Sequence, residues 1–238
     1  MRMYPREFPS GRRKKPKRQA ERRVYQALAD SRRWGFVYYE WRRGYEHIEL
    51  DFAVWTEGLG RFALQVKGGR YLLIHGDWYL KTRYGVQPVK SCPLDETKLA
   101  ALDLHDDVKE MAETRYSPYV IPVLIFPDME PDPTIESLAR RTGVYVIWGV
   151  GNLLADLAEI VRSRRVSEAL GMDRIAREVH AVTDGLIRLE KFEPGCVADA
   201  ADQPVSVPER RQYVGTLRLT LVGVDVTTTR ARGVPPAG

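Results

Sequence analysis

The chain has 238 residues, and its 37 Lys and Arg residues exceed its 32 Asp and Glu residues, which gives a net charge of +5. Apolar residues at 44 % and charged residues at 29 % are typical of a globular protein and exclude a disordered or collagen-like chain. Two cysteines are too few for a disulfide scaffold or a four-cysteine zinc site. There is no apolar run long enough to span a bilayer and no secretory signal, so we expect a soluble, cytoplasmic protein with no membrane partner.

The positive charge is concentrated at the N-terminus. Residues 1–23 carry ten Lys and Arg residues and two Glu residues, a local excess of eight, so the rest of the chain has a net charge of −3. Because Pro and Gly interrupt residues 1–16, we predict a flexible basic arm there. Such an arm suits contacts with nucleic-acid phosphates, which are driven by counterion release. A tail that only increases solubility is the alternative.

The first half of the chain predicts one helix followed by antiparallel strands. A helical repeat of apolar residues begins near Lys17 and ends by Gly35. Strands are predicted over residues 36–40, 47–54 and 62–67, and the last two alternate apolar and other residues with a period of two. A second hairpin follows, with strands over residues 71–74 and 78–81 and a turn between them.

The second half predicts alternating helices and buried strands. Helices are expected over residues 94–111, 135–141, 153–161 and 166–187, and strands over residues 119–126 and 143–148. Four residues of the first of these helices are predicted to face inward: Leu99, Leu102, Val108 and Met111. Pro122 indicates that the strand over 119–126 lies at an edge or contains a bulge. These elements predict an α/β fold with a central mixed sheet flanked by helices.

The composition changes near residue 192, where Pro, Gly and polar residues become frequent. We therefore predict a folded domain over residues 17–191 and a helical and irregular C-terminal extension over residues 192–238. The extension has β-like content over residues 213–226, and its role is unknown.

Four polar side chains are predicted to meet at one place in this fold. Asp51 interrupts an apolar strand, and Gln65 and Lys67 lie two residues apart on the next strand, so their side chains point to the same side. Glu21 borders the apolar stripe of the first helix. A carboxylate, an amide oxygen and a lysine are the groups that metal-assisted phosphodiester hydrolysis needs, and the Val66 carbonyl would add a further ligand. Taken singly, each of these residues is also compatible with a solvated surface position.

The ordered pattern of Glu, Asp and Gln-x-Lys on helix, strand and strand resembles the NERD (nuclease-related) domain of the PD-(D/E)XK nuclease superfamily. The matching segments are residues 20–24, 48–54, 62–69, 76–78 and 123–128, with Pro93 before a long helix. The resemblance covers roughly residues 17–162 and implies a restriction-endonuclease-like core. It implies an endonuclease-type hydrolase that cleaves DNA and depends on Mg²⁺, with Mn²⁺ as a substitute.

The resemblance also implies a role for each matching residue. Asp51 would be the central metal ligand, Gln65 the second ligand, Lys67 the catalytic lysine and Glu21 the outer carboxylate. NERD domains usually read Glu-x-Lys, whereas the Gln form here is similar to Mrr-type restriction endonucleases. The missing negative charge is expected to weaken Mg²⁺ binding unless Glu21 compensates.

Further departures concern accessory parts of the family. A Gln often follows the proline before the long helix, whereas this chain reads Pro93-Leu94-Asp95-Glu96. NERD domains are often fused to helicase or kinase modules, but this sequence has no P-loop motif, so a helicase partner would come from another chain.

Several basic residues are predicted to contact nucleic acid, namely Arg12, Arg13, Lys14, Lys15, Lys17, Arg18 and Arg70. Two alternatives to a DNA nuclease stay open. One is a non-catalytic nucleic-acid-binding module, and the other is a nuclease that acts on RNA. A homodimer is also left open.

Overall fold

The computed structural model describes residues 1–9, 16–33, 35–41, 49–111, 118–164 and 170–183. These residues belong to one compact unit, Met1–Phe192. The predicted boundary near residue 192, the extension over residues 192–238 and the basic residues 10–15 lie outside the described residues. None of the described helices is both long and apolar enough to cross a membrane.

The protein is an α/β protein, and its described part contains nine strands and five helices. The strands are β1 (Arg2–Tyr4), β2 (Gly35–Trp41), β3 (Leu50–Thr56), β4 (Gly60–Val66), β5 (Arg70–Ile74), β6 (Asp77–Thr82), β7 (Gly85–Pro88), β8 (Val120–Phe126) and β9 (Tyr145–Trp148). The helices are α1 (Pro16–Ala29), α2 (Pro93–Met111), α3 (Pro133–Thr142), α4 (Leu153–Arg164) and α5 (Met172–Val182).

Six strands form a mixed sheet in the order β1-β2-β3-β4-β8-β9. The pairs β2–β3 and β3–β4 are antiparallel, whereas β1–β2, β4–β8 and β8–β9 are parallel. The remaining strands form a separate antiparallel sheet in the order β5-β6-β7. The predicted mixed sheet between helices is therefore confirmed, and β4 occupies its centre.

Two hydrophobic clusters cover the two faces of the large sheet. Alternation along β3 assigns Phe52 and Val54 to the cluster that contains α1 and α4, whereas Ala53 and Trp55 belong to the cluster that contains α2 and α5. Every residue of β3 and β4 is buried, so these two strands form a rigid centre of the sheet. They therefore hold the residues at their ends in fixed positions.

The predicted inward face of α2 is partly wrong. Leu99 and Leu102 are 49 % and 50 % exposed. The buried stripe recurs at helical spacing and consists of Leu94, Thr97, Ala100, Ala101, Leu104, Asp107 and Val108. The small Ala and Thr residues let α2 approach the sheet closely. The prediction chose the larger leucine side chains for the inner face and therefore missed these small buried positions.

The predicted flexible arm over residues 1–16 needs correction for residues 1–9. Arg2–Tyr4 forms β1, which pairs in parallel with β2 and buries Met3. Phe8 packs against Tyr25 and Tyr39. The start of the chain is therefore an edge strand of the sheet, held by backbone hydrogen bonds and aromatic contacts.

Pro122 lies in β8, which is an interior strand, but β8 is paired on only one side at this residue. β8 pairs with β4 from Val120 onward, but its pairing with β9 begins only at Val123. The missing N–H of Pro122 therefore lies before β9 joins, where β8 has a free side, as proline requires.

Candidate functional site

The β3–β4 ladder ends where the candidate residues begin. Paired residues run from Thr56 and Gly60 to Phe52 and Leu64, and beyond that point β4 continues to pair only with β8. Side chains take over the hydrogen bonds that the ladder no longer supplies. The strands therefore separate at Asp51 and open a gap at one end of the sheet.

Asp51 and Gln65 bridge this gap reciprocally. The Val66 N–H donates to Asp51 Oδ2 at 2.7 Å, and the Asp51 N–H donates to Gln65 Oε1 at 3.3 Å. The Gln65 Nε2 donates to the Glu49 carbonyl at 3.3 Å. Because one end of the amide meets a donor and the other an acceptor, these contacts fix its orientation. Both side chains are buried and held by backbone groups.

An unusual backbone conformation in β2 lies at the same level as Asp51. Glu40 has a φ of 55°, in the left-handed region that non-glycine residues rarely adopt. Tyr39 and Trp41 flank it and belong to opposite clusters, although regular alternation would put them on one face. Leu50 and Phe52, which pair with them, are split in the same way. Both strands therefore reverse their faces around Glu40 and Asp51.

Helix α1 brings a second buried carboxylate to this level. Glu21 Oε2 accepts a hydrogen bond from the Tyr39 hydroxyl at 2.6 Å and from Arg18 at 3.0 Å. Arg18 also pairs with the Glu40 carboxylate, and its guanidinium lies over the Tyr39 ring. The strained Glu40 is thus tied to α1 by the same arginine that holds Glu21 in place.

Lys17 connects the two buried carboxylates. Its Nζ lies 3.3 Å from Asp51 Oδ1 and 3.6 Å from Glu21 Oε1. Burial lowers the pKa of the Lys17 ammonium, but the charges of Asp51 and Glu21 outweigh this effect and raise the pKa overall. Half of the side chain is exposed. The two carboxylates therefore share one cation that can move into solvent.

The two carboxylates carry unfavourable charge. Burial raises the pKa of Asp51, and the positive charge of Lys17 opposes this only in part. Burial and the Asp51 charge raise the pKa of Glu21 to about 7, against the effects of Lys17 and Arg18. Two buried acids with raised pKa values next to each other are an arrangement that a bound cation stabilises.

Asp51 Oδ1 provides a further indication of a ligand. This oxygen is buried and accepts no hydrogen bond from any described residue, although Lys17 is its ion-pair partner. An unsatisfied buried oxygen is costly, and functional sites are one place where such groups occur. Within the described ranges, no group of three His, Cys, Asp or Glu side chains could hold a metal ion. Two carboxylates and one amide oxygen do fit Mg²⁺, which binds few protein ligands and keeps several waters.

Lys67 reaches the site from just beyond β4. Its N–H donates to the Ile125 carbonyl at 2.9 Å, which fixes the backbone beside β8. Its Nζ pairs with Glu96 in the first turn of α2, and Ser91 donates to the other oxygen of Glu96. Burial opposes the shift, but the bonds from Lys67 and Ser91 lower the pKa of Glu96. The Lys67 charge also lowers the pKa of Asp51.

The chain after Lys67 leaves the site through a constrained turn. Gly69 has a φ of 99°, and a Cβ there would lie 3.2 Å from a methyl carbon of Leu80. The Gly69 N–H donates to Asp128, which also pairs with Arg23 of α1. The beginning of β5 is therefore anchored to α1 on one side and to the end of β8 on the other.

The structure brings together Glu21, Asp51 and Gln65, which are linked through Lys17 and through the hydrogen bond between Asp51 and Gln65. The Val66 N–H joins them through Asp51, and Lys67 follows Val66 with its Nζ paired to Glu96. Lys17 and Arg18, predicted to contact nucleic acid, form ion pairs within the site. Arg70 is exposed at the start of β5. Arg12, Arg13, Lys14 and Lys15 lie outside the described residues. Their nucleic-acid contacts stay a prediction.

Sequence reasoning missed three residues of the site, Tyr39, Glu40 and Glu96. The sequence around Glu40 does not indicate its role, because the left-handed backbone conformation of this residue is imposed by its tertiary contacts. Glu96 did have a signal in the sequence, since it is an acidic residue in the first turn of the predicted helix that begins after Pro93.

The chain matched no known protein in three comparisons, with models of protein families, with curated proteins and with solved structures. The function is therefore argued from the site.

Proposed function

We propose that this protein is a metal-dependent nuclease that hydrolyses phosphodiester bonds of DNA. The observation that carries the proposal is the buried Asp51, whose Oδ1 accepts no hydrogen bond from the described residues and is ion-paired with the half-exposed Lys17. Glu21 and Lys67 close to Asp51 supply a second carboxylate and a second cation.

We further propose that the domain is a NERD-type member of the PD-(D/E)XK nucleases with a restriction-endonuclease-like core. Support comes from the order of its parts. Helix α1 supplies Glu21, the antiparallel strands β3 and β4 that come after β2 supply Asp51 and Gln65, and β4 then pairs in parallel with β8. In this reading Gln65 replaces the usual glutamate.

The residues that would hold Mg²⁺, or Mn²⁺ in its place, are Asp51, Glu21 and Gln65. The ion would supply a water molecule of lowered pKa and would polarise the phosphate. Gln65 Oε1 already accepts one hydrogen bond from the Asp51 N–H, and a carbonyl oxygen has a second lone pair. Val66 contributes through its N–H, which holds Asp51 Oδ2 and leaves Oδ1 available.

The lysines would have different tasks. Water attacks phosphorus as the bond to the 3′ oxygen breaks. One proton of the water passes by way of solvent to the released 3′ oxygen and the other is lost to solvent, so negative charge on the phosphoryl oxygens increases on the way to the products. Lys67 would stabilise this charge after its pair with Glu96 rearranges. Lys17 would leave Asp51 and Glu21 and turn toward solvent, where it could meet a phosphate of the bound strand.

Cleavage by purified variants tests this proposal. Wild-type protein is incubated with single- and double-stranded DNA and RNA in Mg²⁺ and in Mn²⁺. Asp51→Asn and Lys67→Ala should each reduce the cleavage rate at least about 100-fold, because the first removes the carboxylate that would hold the ion and the second removes the cation that would stabilise the phosphoryl oxygens. Asp106→Asn and Lys109→Ala, on the surface of α2, are matched controls and should cleave at the wild-type rate. Unchanged cleavage in both site variants would refute the mechanism, and cleavage of RNA alone would reassign the substrate.

A non-catalytic nucleic-acid-binding module is the second candidate. Lys17 favours it, because its ammonium already partly neutralises both carboxylates in the metal-free protein. This candidate predicts that DNA binds equally well in Mg²⁺ and in EDTA and that no substrate is cleaved. Any divalent-dependent cleavage that Asp51→Asn abolishes would exclude it.

A further inference from the structure

The small sheet has two faces of different character. On its inner face, Tyr71 and Trp78 pack against Phe126, with ring centroids 5.5 and 6.4 Å apart. The other face points away from this cluster, because side chains alternate along each strand. We call this the outer face, and it consists of Arg70, Leu72, Ile74, Asp77, Tyr79, Lys81, Val86 and Pro88.

Two cations stand side by side at one end of the outer face. Arg70 pairs with Lys81 across β5 and β6, and Lys81 pairs with Val86 across β6 and β7. Like charges in directly opposite positions destabilise a sheet. Neither side chain forms a salt bridge within the described part of the chain, and both are exposed. A bound anion would remove this repulsion.

Apolar and aromatic groups lie beside these cations. Leu72, Tyr79 and Pro88 form the next cross-strand row, and Ile74 and Val86 are 39 % and 49 % exposed. At the β6–β7 turn, Tyr84 is 77 % exposed and the guanidinium of Arg83 lies 4.5 Å from its ring centroid. Aromatic rings beside cations are the arrangement on which unpaired bases stack while their phosphates are neutralised.

The basic end of the outer face adjoins the candidate active site. Arg70 follows Lys67 by three residues, so at most about 10 Å of extended chain separates their Cα atoms. The turn between them is anchored through Gly69 and Asp128. The cations Arg70 and Lys81 therefore stand on the outer face at the end of β5 that follows Lys67.

We propose that the outer face of the small sheet binds an unpaired nucleic-acid strand and leads it to Asp51 and Lys67. This inference rests on the proposed nuclease function and specifies its substrate as a single strand or the single-stranded part of a branched molecule. Arg70 and Lys81 neutralise phosphates, and Tyr79 and Tyr84 stack on bases. A rigid duplex fits this face less well, because its bases are stacked on one another and present no free ring faces.

Binding without metal tests the outer face independently of cleavage. The full chain is titrated in EDTA against fluorescein-labelled single-stranded DNA, single-stranded RNA and duplex DNA of about 15 residues, with fluorescence anisotropy as the readout. We expect either single strand to bind more tightly than the duplex. The variant Arg70→Gln/Lys81→Gln should lose about 25-fold in single-strand affinity at 0.1 M salt, and its salt slope should decrease by about 1.4, since each phosphate contact contributes about 0.7.

A matched control removes one lysine and one arginine elsewhere. Lys109→Gln/Arg141→Gln changes two exposed residues of α2 and α3 that form no ion pair within the described residues, and should bind within about twofold of the wild type. Tyr84→Leu and Tyr79→Leu should each weaken single-strand binding at least about fivefold. Tyr84 is so exposed that its replacement leaves the fold intact.

The outcomes separate the outer face from the nuclease. Equal losses in both double variants, a preference for duplex, or tyrosine variants that bind like the wild type would overturn the outer-face proposal. If Arg70→Gln/Lys81→Gln loses binding while the wild type cleaves nothing in Mg²⁺ or Mn²⁺, the outer face is supported and the proposed nuclease fails. If that variant cleaves a single strand with unchanged KM and kcat, the nuclease stands and the outer-face proposal fails.

Discussion

Replacing Glu21 with Gln should make the metal-free protein more stable, by an amount that grows as the pH rises from about 4.5 to 7. The pKa of Glu21 rises from its ordinary value of 4.5 to about 7 in the folded protein, chiefly because the carboxyl group is buried. Between these two values the unfolded chain has already lost the proton that the folded protein keeps. Unfolding therefore releases a proton, and stability falls as the pH rises through this window.

The magnitude follows from the two pKa values. One pKa unit corresponds to about 1.4 kcal/mol, so complete ionisation of Glu21 lowers the free energy of unfolding by about 3 kcal/mol. Glutamine stays neutral and can still accept the hydrogen bond from the Tyr39 hydroxyl. Glu21→Gln should thus equal the wild type near pH 4.5 and exceed it by about 3 kcal/mol at pH 8.5.

Urea unfolding in EDTA across this pH range measures the difference. Glu159→Gln is the matched control, since Glu159 is 63 % exposed and pairs only with Arg162 among the described residues. Its free energy of unfolding should stay within about 0.5 kcal/mol of the wild type at every pH. A Glu21→Gln variant that is less stable than the wild type at pH 8.5, or a difference that does not change with pH, would refute the charge account of this site.

Three further predictions concern other parts of the molecule. Lys17→Gln removes the ammonium that competes for Asp51 and Glu21, so Mn²⁺ should bind about two- to fivefold more tightly at pH 8 by calorimetry; weaker binding would contradict this. Glu178→Gln removes the carboxylate from the buried ion pair with Arg61 and should cost about 3–5 kcal/mol in urea unfolding, whereas Arg61→Met/Glu178→Met should recover most of this loss. Changing Arg12, Arg13, Lys14 and Lys15 to Gln should reduce the salt slope of DNA binding and leave the urea unfolding midpoint unchanged. Deletion of residues 1–16 would also remove β1, so its effect on DNA binding would include a loss of folded structure.

The sequence predicted the elements whose pattern is local. Two-residue alternation gave β3 and β4, and the spacing of Gln65 and Lys67 indicated that they would act from one strand end. The hairpin between β5 and β6 was also predicted, with a turn over residues 75–77. In the structure Asp77 pairs with Ile74, and His75 and Gly76, with φ values of 54° and 93°, make a two-residue turn.

Features that depend on tertiary contacts were not predictable. β1 has only three residues and no periodic signal within a basic segment, so its residues fall in the predicted flexible arm. The reversal of faces around Glu40 requires a strained conformation that Arg18 and Tyr39 hold in place. The position of Lys17 between the two carboxylates depends on how α1 is rotated against the sheet, and helical periodicity does not define that rotation finely enough.

A Mn²⁺ titration followed by electron paramagnetic resonance tests the central claim most directly, because free and bound Mn²⁺ give different signals. Wild-type protein, Asp51→Asn and Lys67→Ala are compared at pH 8 in the absence of nucleic acid. The account predicts one bound ion for the wild type and for Lys67→Ala, and loss of that ion in Asp51→Asn, whose neutral side chain can still accept the Val66 hydrogen bond. Equal Mn²⁺ binding by Asp51→Asn and the wild type, or no binding by any of the three proteins, would contradict it.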